Sequence, residues 1–472
     1  MKSVIRDLAD IKAAKRWDFG FHDPEYLKVL ESLDRTYPVV RFGDIITVLT
    51  DMGAFSLYKT EYFVDEGVPF LRVQNVQEYG VDLEKDTKFI SHEYHQQLKK
   101  SQLQPGDLLL TTKAVIGISA VVSESLGDCN ISQNLVLVRL KDGINPKYVS
   151  IFLNSRLGRM QTETAATGPN QKYLNFERIY DLKITLPPRS LQDQIAQVMQ
   201  EAYRDRRKKL LESQRLLDSI DGFILEALDI KFDNLRRETR FILASRELVK
   251  NRFDVDFYLP ETHDRYEALQ CSRKCRVASL GTLIDQIANG ATPKGANYLN
   301  EGIPFFRIQN IVPDGLDLSD IAYISRETHD EMKRSQTRPG DLLMTITGRV
   351  GTAAVIPGSL KEGNINQHIV IIRLKSDVIN TNYLATVINS SAVSFQASHR
   401  TTGTTRIALD YTAIKSLLIP VPTIEIQEQI LGEVARRRSE AKRLRNEAEA
   451  VVSDAKARVE RMILGEEGID EN

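Results

Sequence analysis

The residues best equipped for chemistry in this sequence come in pairs. Asp107, in Pro105-Gly106-Asp107-Leu108-Leu109, returns as Asp341 in Pro339-Gly340-Asp341-Leu342-Leu343. These are the only acidic twins in a strongly shared motif, and carboxylates can hold a divalent metal for nuclease chemistry. A Pro-Gly-Asp turn before a strand accounts for the same residue more simply, with Asp bonding nearby amides. Arg72-Val73-Gln74-Asn75 likewise returns as Arg307-Ile308-Gln309-Asn310. Arg, Gln and Asn have the bidentate geometry that reads guanine and adenine edges. Residues that read different bases should differ between two copies, so identical Gln-Asn pairs are expected to close a turn.

The remaining signatures of catalysis are missing. No Gly-rich phosphate loop ends in Lys-Ser or Lys-Thr, and Gly290 to Gly295 has only the glycine spacing. No H-E-x-x-H or C-x-x-C pair offers a metal site. Cys271 and Cys275, with His263 nearby, have no cysteine counterpart in the first half. They are read as a surface coincidence. The seven histidines are scattered, and no two are expected at matching positions, so no shared triad or acid–base dyad is predicted. Asn145-Pro146-Lys147-Tyr148 faintly resembles the Asn-Pro-Pro-Tyr motif of amino-methyltransferases. Its twin, Asn380-Thr381-Asn382-Tyr383, lacks the proline. A helix start with Pro in the first turn explains it equally well.

These pairs belong to one long duplication. Gly67-Val68-Pro69-Phe70-Leu71 returns as Gly302-Ile303-Pro304-Phe305-Phe306, and the offset between blocks drifts only from 236 to 234. A period that long is a duplicated domain, not a solenoid unit. With 472 residues, more than one core is required. No apolar run reaches membrane-spanning length and the opening Met1 to Asp7 has no signal-peptide core, so a cytoplasmic protein is expected. The net charge of −1 argues against indiscriminate coating of nucleic acid but permits a local basic patch.

The predicted layout is a helical lead (1–36), a first body (37–189), a long central helix (190–230), a linker with a second lead (231–276), a second body (277–424) and a C-terminal long helix and tail (425–472). Within the leads, helix is expected from Val4 to Leu33 and from Leu243 to Leu269. The bodies read as α+β and mostly antiparallel. Leu135 to Leu140 and Ile369 to Leu374 are β-branched or apolar runs of strand length, separated from other short runs by glycine-rich turns. Leu191, Ile195, Val198 and Ala202 form a stripe at three- and four-residue steps; Leu217, Ile220, Ile224 and Ala227 continue it. Ala441, Leu444, Ala448, Val451, Ala455, Val459 and Met462 repeat the pattern. This is the seam of a helix pair. The two long helices are expected to pair as an antiparallel coiled-coil spacer, with packing of each against its own body as the alternative.

Readout is expected from loops at matching places with different contents. Gly53 to Lys59, including Tyr58 and Lys59, faces Gly290 to Lys294, including Thr292 and Lys294. Thr112-Lys113-Ala114 faces Thr347-Gly348-Arg349. Thr167 to Lys172, including Asn170, Gln171 and Lys172, faces Thr402 to Arg406, including Thr404, Thr405 and Arg406. Each pair offers glycine, small polar residues and cations, a combination suited to phosphates and base edges. The basic helix clusters at Arg206, Arg207 and Lys208, and at Arg436, Arg437 and Lys442, are candidate partner-docking residues or solvated helix faces.

The ordered set of motifs resembles the specificity (S) subunit of type I restriction-modification systems. The set comprises the Gly-[Ile/Val]-Pro-Phe block, Pro-Gly-Asp-Leu-Leu and a glycine loop. Asn130-Ile131-Ser132-Gln133 and Asn364-Ile365-Asn366-Gln367 follow, then a Thr-Gly loop, then Pro187-Pro188 or Pro420-Val421-Pro422 before a long helix. The resemblance covers nearly the whole chain. It implies two tandem target-recognition domains, each reading half of a bipartite site in double-stranded DNA, with the helices as a ruler. It implies two DNA-adenine methyltransferase subunits as partners and, where present, two restriction and translocase subunits. S-adenosylmethionine, Mg2+ and ATP would sit in those partners, with no cofactor or metal in this chain, which would itself catalyse nothing. The alternatives are a duplicated protein-binding scaffold without a DNA role, a specificity module for a fused restriction–methylation enzyme, and an enzyme using Asp107 and Asp341.

Overall fold

The computed structural model describes residues 23–33, 36–53, 63–168, 172–233, 235–238, 241–242, 258–293, 295, 298–375, 378–400 and 408–468. Two compact units emerge, and they do not follow chain order. Met1–Leu211 joins Leu444–Asn472 in the first unit; Glu212–Arg443 forms the second.

The first body is built around a four-stranded antiparallel sheet. Leu135–Leu140 lies between Ile46–Thr50 and Leu108–Thr111, and Ser119–Val121 completes the far edge. Both faces of the central strand are covered. Val136 and Val138 enter the core with the helices, while Leu135 and Leu137 enter a second core with Leu71 and Ile131. That two-sided burial explains an apolar run with no polar alternation. A second sheet orders Asn130–Ile131, Val68–Leu71, Lys88–Ile90 and Phe63–Val64. Its first pair is parallel within an otherwise mostly antiparallel body, and it holds the Asn-Ile motif.

The second body repeats this plan. Ile369–Leu374 lies between Ile284–Asn289 and Leu342–Thr345, with Ala353–Val355 at the edge. Asn364–Ile365 pairs in parallel with Phe305–Phe306. Two-stranded clasps bring the ends of each body together: Val39–Arg41 with Lys183–Thr185, and Arg276–Ser279 with Leu418–Val421. Of the expected leads, helix is described over Pro24–Leu33 and Pro260–Gln270. Residues 4–22 and 243–257 lie outside the described residues.

The long helices run Arg189–Ala227 and Ile424–Leu464, and each starts within one residue of expectation. Each starts after the proline-rich strand end. Gln192 bonds the Asn145 amide at 2.9 Å and the Pro187 carbonyl at 2.9 Å; Gln427 repeats this with Asn380 (2.8 Å) and Pro422 (3.0 Å). A buried glutamine thus locks each helix start to its own body.

The two packing expectations for the helices both hold. Leu191, Ile195 and Met199 are buried in the first body's core, where a fully buried aliphatic side chain stabilises by about 1.5–3 kcal/mol. Val459, Met462 and Ile463, from the far end of the other long helix, join the same core. In the second unit, Ile430 and Val434 share a core with Ile224 and Leu228. The helix segments are antiparallel within each unit. Lys209 pairs with Glu447 at 2.9 Å in the first, and buried Ser213 donates to the Ala441 carbonyl at 3.0 Å in the second. A carboxylate from the exchanged segment caps a body helix in both units: Glu460 at the Arg156 amide (2.7 Å) and Asp221 at the Ser391 amide (2.6 Å).

Candidate nucleic-acid interface

The shared polar motifs turn out to be framework. Asp107 is buried and takes two bonds from Arg139, at 2.7 and 3.1 Å, plus the Gln104 amide at 2.7 Å. Asp341 does the same with Arg373 (2.7 and 2.8 Å) and the Arg338 amide (3.0 Å). All carboxylate oxygens are engaged, which leaves the Pro-Gly-Asp turn as a strand anchor. Buried Asn75 and Asn310 receive the Arg72 and Arg307 amides at 2.9 Å and donate to carbonyls of the following turn. Arg72 reaches Asp86, and Arg307 reaches Asp320. Asn145 caps its helix through the Lys147 amide, and buried Tyr148 donates to the Thr185 carbonyl; Asn380 and Tyr383 repeat both contacts. The methyltransferase-like tetrad is therefore a helix start.

One expectation was wrong. Two histidines do match: His95 and His329, 234 positions apart. Each approaches a buried asparagine through Nδ1 at 2.5 Å, Asn130 and Asn364 respectively. Each asparagine then donates to a serine hydroxyl at 2.8 Å, Ser101 or Ser335. The cluster ties a short helix to the parallel strand, so the Asn-Ile motif is also framework. The match was legible in the sequence, because Ile90, Ser91 and Glu93 recur as Ile324, Ser325 and Glu327 at the same offset of 234.

The described ends of the variable loops are tied together by hydrogen bonds. In the second body, the Gly290 amide bonds the Ile369 carbonyl and the Ala291 amide bonds the Ile365 carbonyl. Thr292 bonds the Gln367 side chain, and Thr347 Oγ1 lies 2.9 Å from His368 Nδ1. Leu409, leaving the Thr-Gly loop, bonds the Ile346 carbonyl at 3.0 Å. Two chain segments therefore meet at Gln367 and His368, which the sequence reading passed over as site candidates, and the third joins through Ile346, whose amide bonds the His368 carbonyl. Gln367 repeats Gln133 of the shared Asn-Ile block, whereas His368 stands where the first copy has Asn134, and that divergence was the available signal. In the first body, Lys113 bridges to Tyr173, and Tyr173 bridges to Thr167. Lys172 and Tyr173 are exposed and Lys113 is half-buried. Asn175 caps the helix Phe176–Tyr180 and Asp410 caps Tyr411–Lys415, which fixes the exit of each Thr-Gly loop.

The loop register needs correction. Lys113 stands opposite Thr347, not Gly348, because Lys113 and Thr347 form the equivalent bridges. Ala114 then matches Gly348, and both are left-handed, with φ of 62° and 69°. Arg349 falls opposite Val115, so the two loops carry their cations at different positions. The Arg349 side chain is exposed, with no ion-pair partner among the described residues. Tyr58, Lys59, Asn170, Gln171, Lys294, Thr404, Thr405 and Arg406 lie outside the described residues.

The helix cations divide by what they touch. Arg206 lies over the Tyr79 ring at 5.7 Å. Arg437 holds Glu433 at 2.7 Å, the Ser219 carbonyl at 2.7 Å and the Phe223 ring at 4.8 Å. Both are engaged within their own units. Arg436 is exposed but pairs with Glu433. Arg436 foremost, then Arg437, holds the Glu433 carboxyl down to about 2. Arg207, Lys208 and Lys442 are exposed, without an ion-pair partner among the described residues.

The comparison with known proteins follows the same duplication. The family model for the type I restriction modification DNA specificity domain matches twice, over residues 35–213 and 275–432. The chain belongs to this family. It is 22% identical over 380 residues to the type I restriction enzyme EcoBI specificity subunit of Escherichia coli, spanning 78% of this chain and 73% of that one. It is 22% identical over 183 residues to the putative type I restriction enzyme MjaX specificity subunit of Methanocaldococcus jannaschii, covering 37% of this chain and 42% of that one. A chain from a structural study of complex assembly and conformational transition in the type I R-M system shares the fold. Its TM-score is 0.52 at 14% identity, over 90% of this chain and 97% of that one. Among the described residues, no helix is long and apolar enough to cross a membrane.

Proposed function

We propose that this specificity-domain protein reads a bipartite site in double-stranded DNA, one half-site per body, for a type I restriction-modification complex. The carrying observation is the contrast within each body. Twin ion pairs and twin asparagine clusters build one scaffold twice, while the loops tied to it differ in content. Two heads of one design with different tips suit two different half-sites. Thr292, Thr347, Arg349, Gln367 and His368 form the tip of the second body; Lys113, Lys172 and Tyr173 belong to that of the first.

In this reading the antiparallel helices set the half-site separation. Arg207, Lys208 and Lys442 are docking candidates for two DNA-adenine methyltransferase subunits, with two restriction and translocase subunits joining where encoded. S-adenosylmethionine, Mg2+ and ATP belong to those partners, which act on an extruded adenine. This chain is non-catalytic, and its setting is the bacterial or archaeal cytoplasm. The engagement of every Asp107 and Asp341 oxygen supports recognition over nuclease chemistry.

The test is a genome-wide map of N6-methyladenine in the source cell with and without this gene. Loss of methylation at one split motif is the expected result. With a methylated motif in hand, Arg349→Ala should relax or shift only one half of it. Equal weakening of both halves would remove Arg349 from base reading, and an unchanged map on gene deletion would refute the specificity role.

A further inference from the structure

We propose that Lys99-Lys100 and Lys333-Arg334 are twin clamps for the DNA phosphate backbone, one beside each set of reading loops. The proposal rests on the DNA-reading function above and adds to it a sequence-independent contact. The dipeptides lie 234 positions apart, the offset of the scaffold motifs around them. All four side chains are exposed. None has an ion-pair partner among the described residues; Arg334 makes only a 3.5 Å contact to the Tyr411 hydroxyl. The shared residues that follow them have internal tasks. Ser101 and Ser335 accept from the buried asparagines, and Gln102 and Gln336 donate to the His95 and His329 carbonyls at 2.9 and 2.7 Å. The cations repeat without any such role in the fold.

Their placement fits a phosphate contact. Lys333 and Arg334 line one surface hollow with Gly290 and Ala291, at the root of a reading loop. The Arg334–Tyr411 contact sets the same cations beside the helix that follows the Thr-Gly loop. The short helices Lys99–Ser101 and Lys333–Ser335 are held by the buried asparagine clusters from below. The backbone that carries the two charges is already held, so only side-chain freedom is lost on meeting a repeating anionic lattice. Phosphate contacts of this kind set register and carry no sequence information. That matches cations that stay the same in both bodies while the loops beside them change.

The experiment uses the full chain with its neighbour-encoded methyltransferase and a duplex carrying the motif from the methylation map. Binding is measured across a salt series for wild type, Lys333→Gln/Arg334→Gln and Lys99→Gln/Lys100→Gln. Each double variant should make the slope of log K against log salt less negative by about 1.8, the release from two phosphates. It should weaken cognate and mismatched duplexes by the same factor and leave the methylated motif unchanged. Thermal unfolding should not move, because all four side chains are exposed. An unchanged slope in a complex that still reads the split site would overturn the clamp alone. A changed base preference, or a loss of methyltransferase affinity in place of the salt effect, would also overturn it. Failure of the wild-type complex to discriminate the motif would overturn the reading beneath it.

Discussion

Replacing Asp341 by Asn should destabilise the second unit without touching chemistry. The carboxylate lies beside Arg373, which is one-fifth exposed, and it also accepts the Arg338 amide. Asparagine retains one acceptor oxygen but turns an NH2 group toward the guanidinium. Breaking a fully buried pair costs about 3–5 kcal/mol, and each charge-assisted bond contributes about 1.5–3 kcal/mol. Solvent at Arg373 lowers the cost, so about 2–3 kcal/mol is expected. For a unit of about 230 residues, the unfolding entropy near Tm is roughly 0.5 kcal/mol/K. Calorimetry should therefore record a fall of about 4–6 °C in the transition of the second unit. Asp341→Leu with Arg373→Met should recover most of that loss, because an apolar pair needs no charge compensation. Asp107→Asn should act in the same way on the first unit. An unshifted transition, joined to loss of a metal-dependent nuclease activity in the double Asp107→Asn/Asp341→Asn variant, would refute the anchor argument.

Two further outcomes follow from the loop and helix geometry. Ala114→Gly should stabilise the first unit by about 0.5–1 kcal/mol, since relief of a left-handed alanine exceeds the added chain entropy; Gly348→Ala should cost the second unit about the same 0.5–1 kcal/mol by the reverse balance, and chemical denaturation reads both. Glu433 is held down to about 2, so its ion pairs stabilise the fold above its ordinary value near 4.5 and are lost as pH falls between about 4.5 and 2. Glu433→Gln should flatten the acid dependence of thermal unfolding in that window, and an unaltered pH profile would count against the pairing.

Much of the scaffold was readable because duplication acts as a control. The apolar runs Leu135 to Leu140 and Ile369 to Leu374 mark strands buried on both faces, and the stripes from Leu191 and Ala441 mark long helices. Identity between copies correctly placed Asn75 and Asn310 in the framework. Other features were invisible for physical reasons. A stripe shows that a helix face is buried, not which partner covers it, so the exchange of helix ends between units could not be foreseen. Matching threonines drew Thr112 toward Thr347, whereas backbone φ at Ala114 and Gly348 sets the true register. The bonds of His95 to Asn130 and of His329 to Asn364 join residues 35 positions apart in sequence, which linear comparison of the copies does not reveal.

The shared helix ends have a consequence for how the protein is made. The first unit needs Val459, Met462 and Ile463 in its core, and Thr36 donates to the Leu464 carbonyl at 2.8 Å. A ribosome that has finished Leu211 must still add about 230 residues before that segment begins. At ~5–20 residues per second, the wait is on the order of 10–50 s. During that interval the nascent first body holds an uncovered apolar face, and the second unit, complete by Arg443, can close its core before the first. The body made first is the one finished last, and a nonsense codon just after Arg443 would strike at the first body.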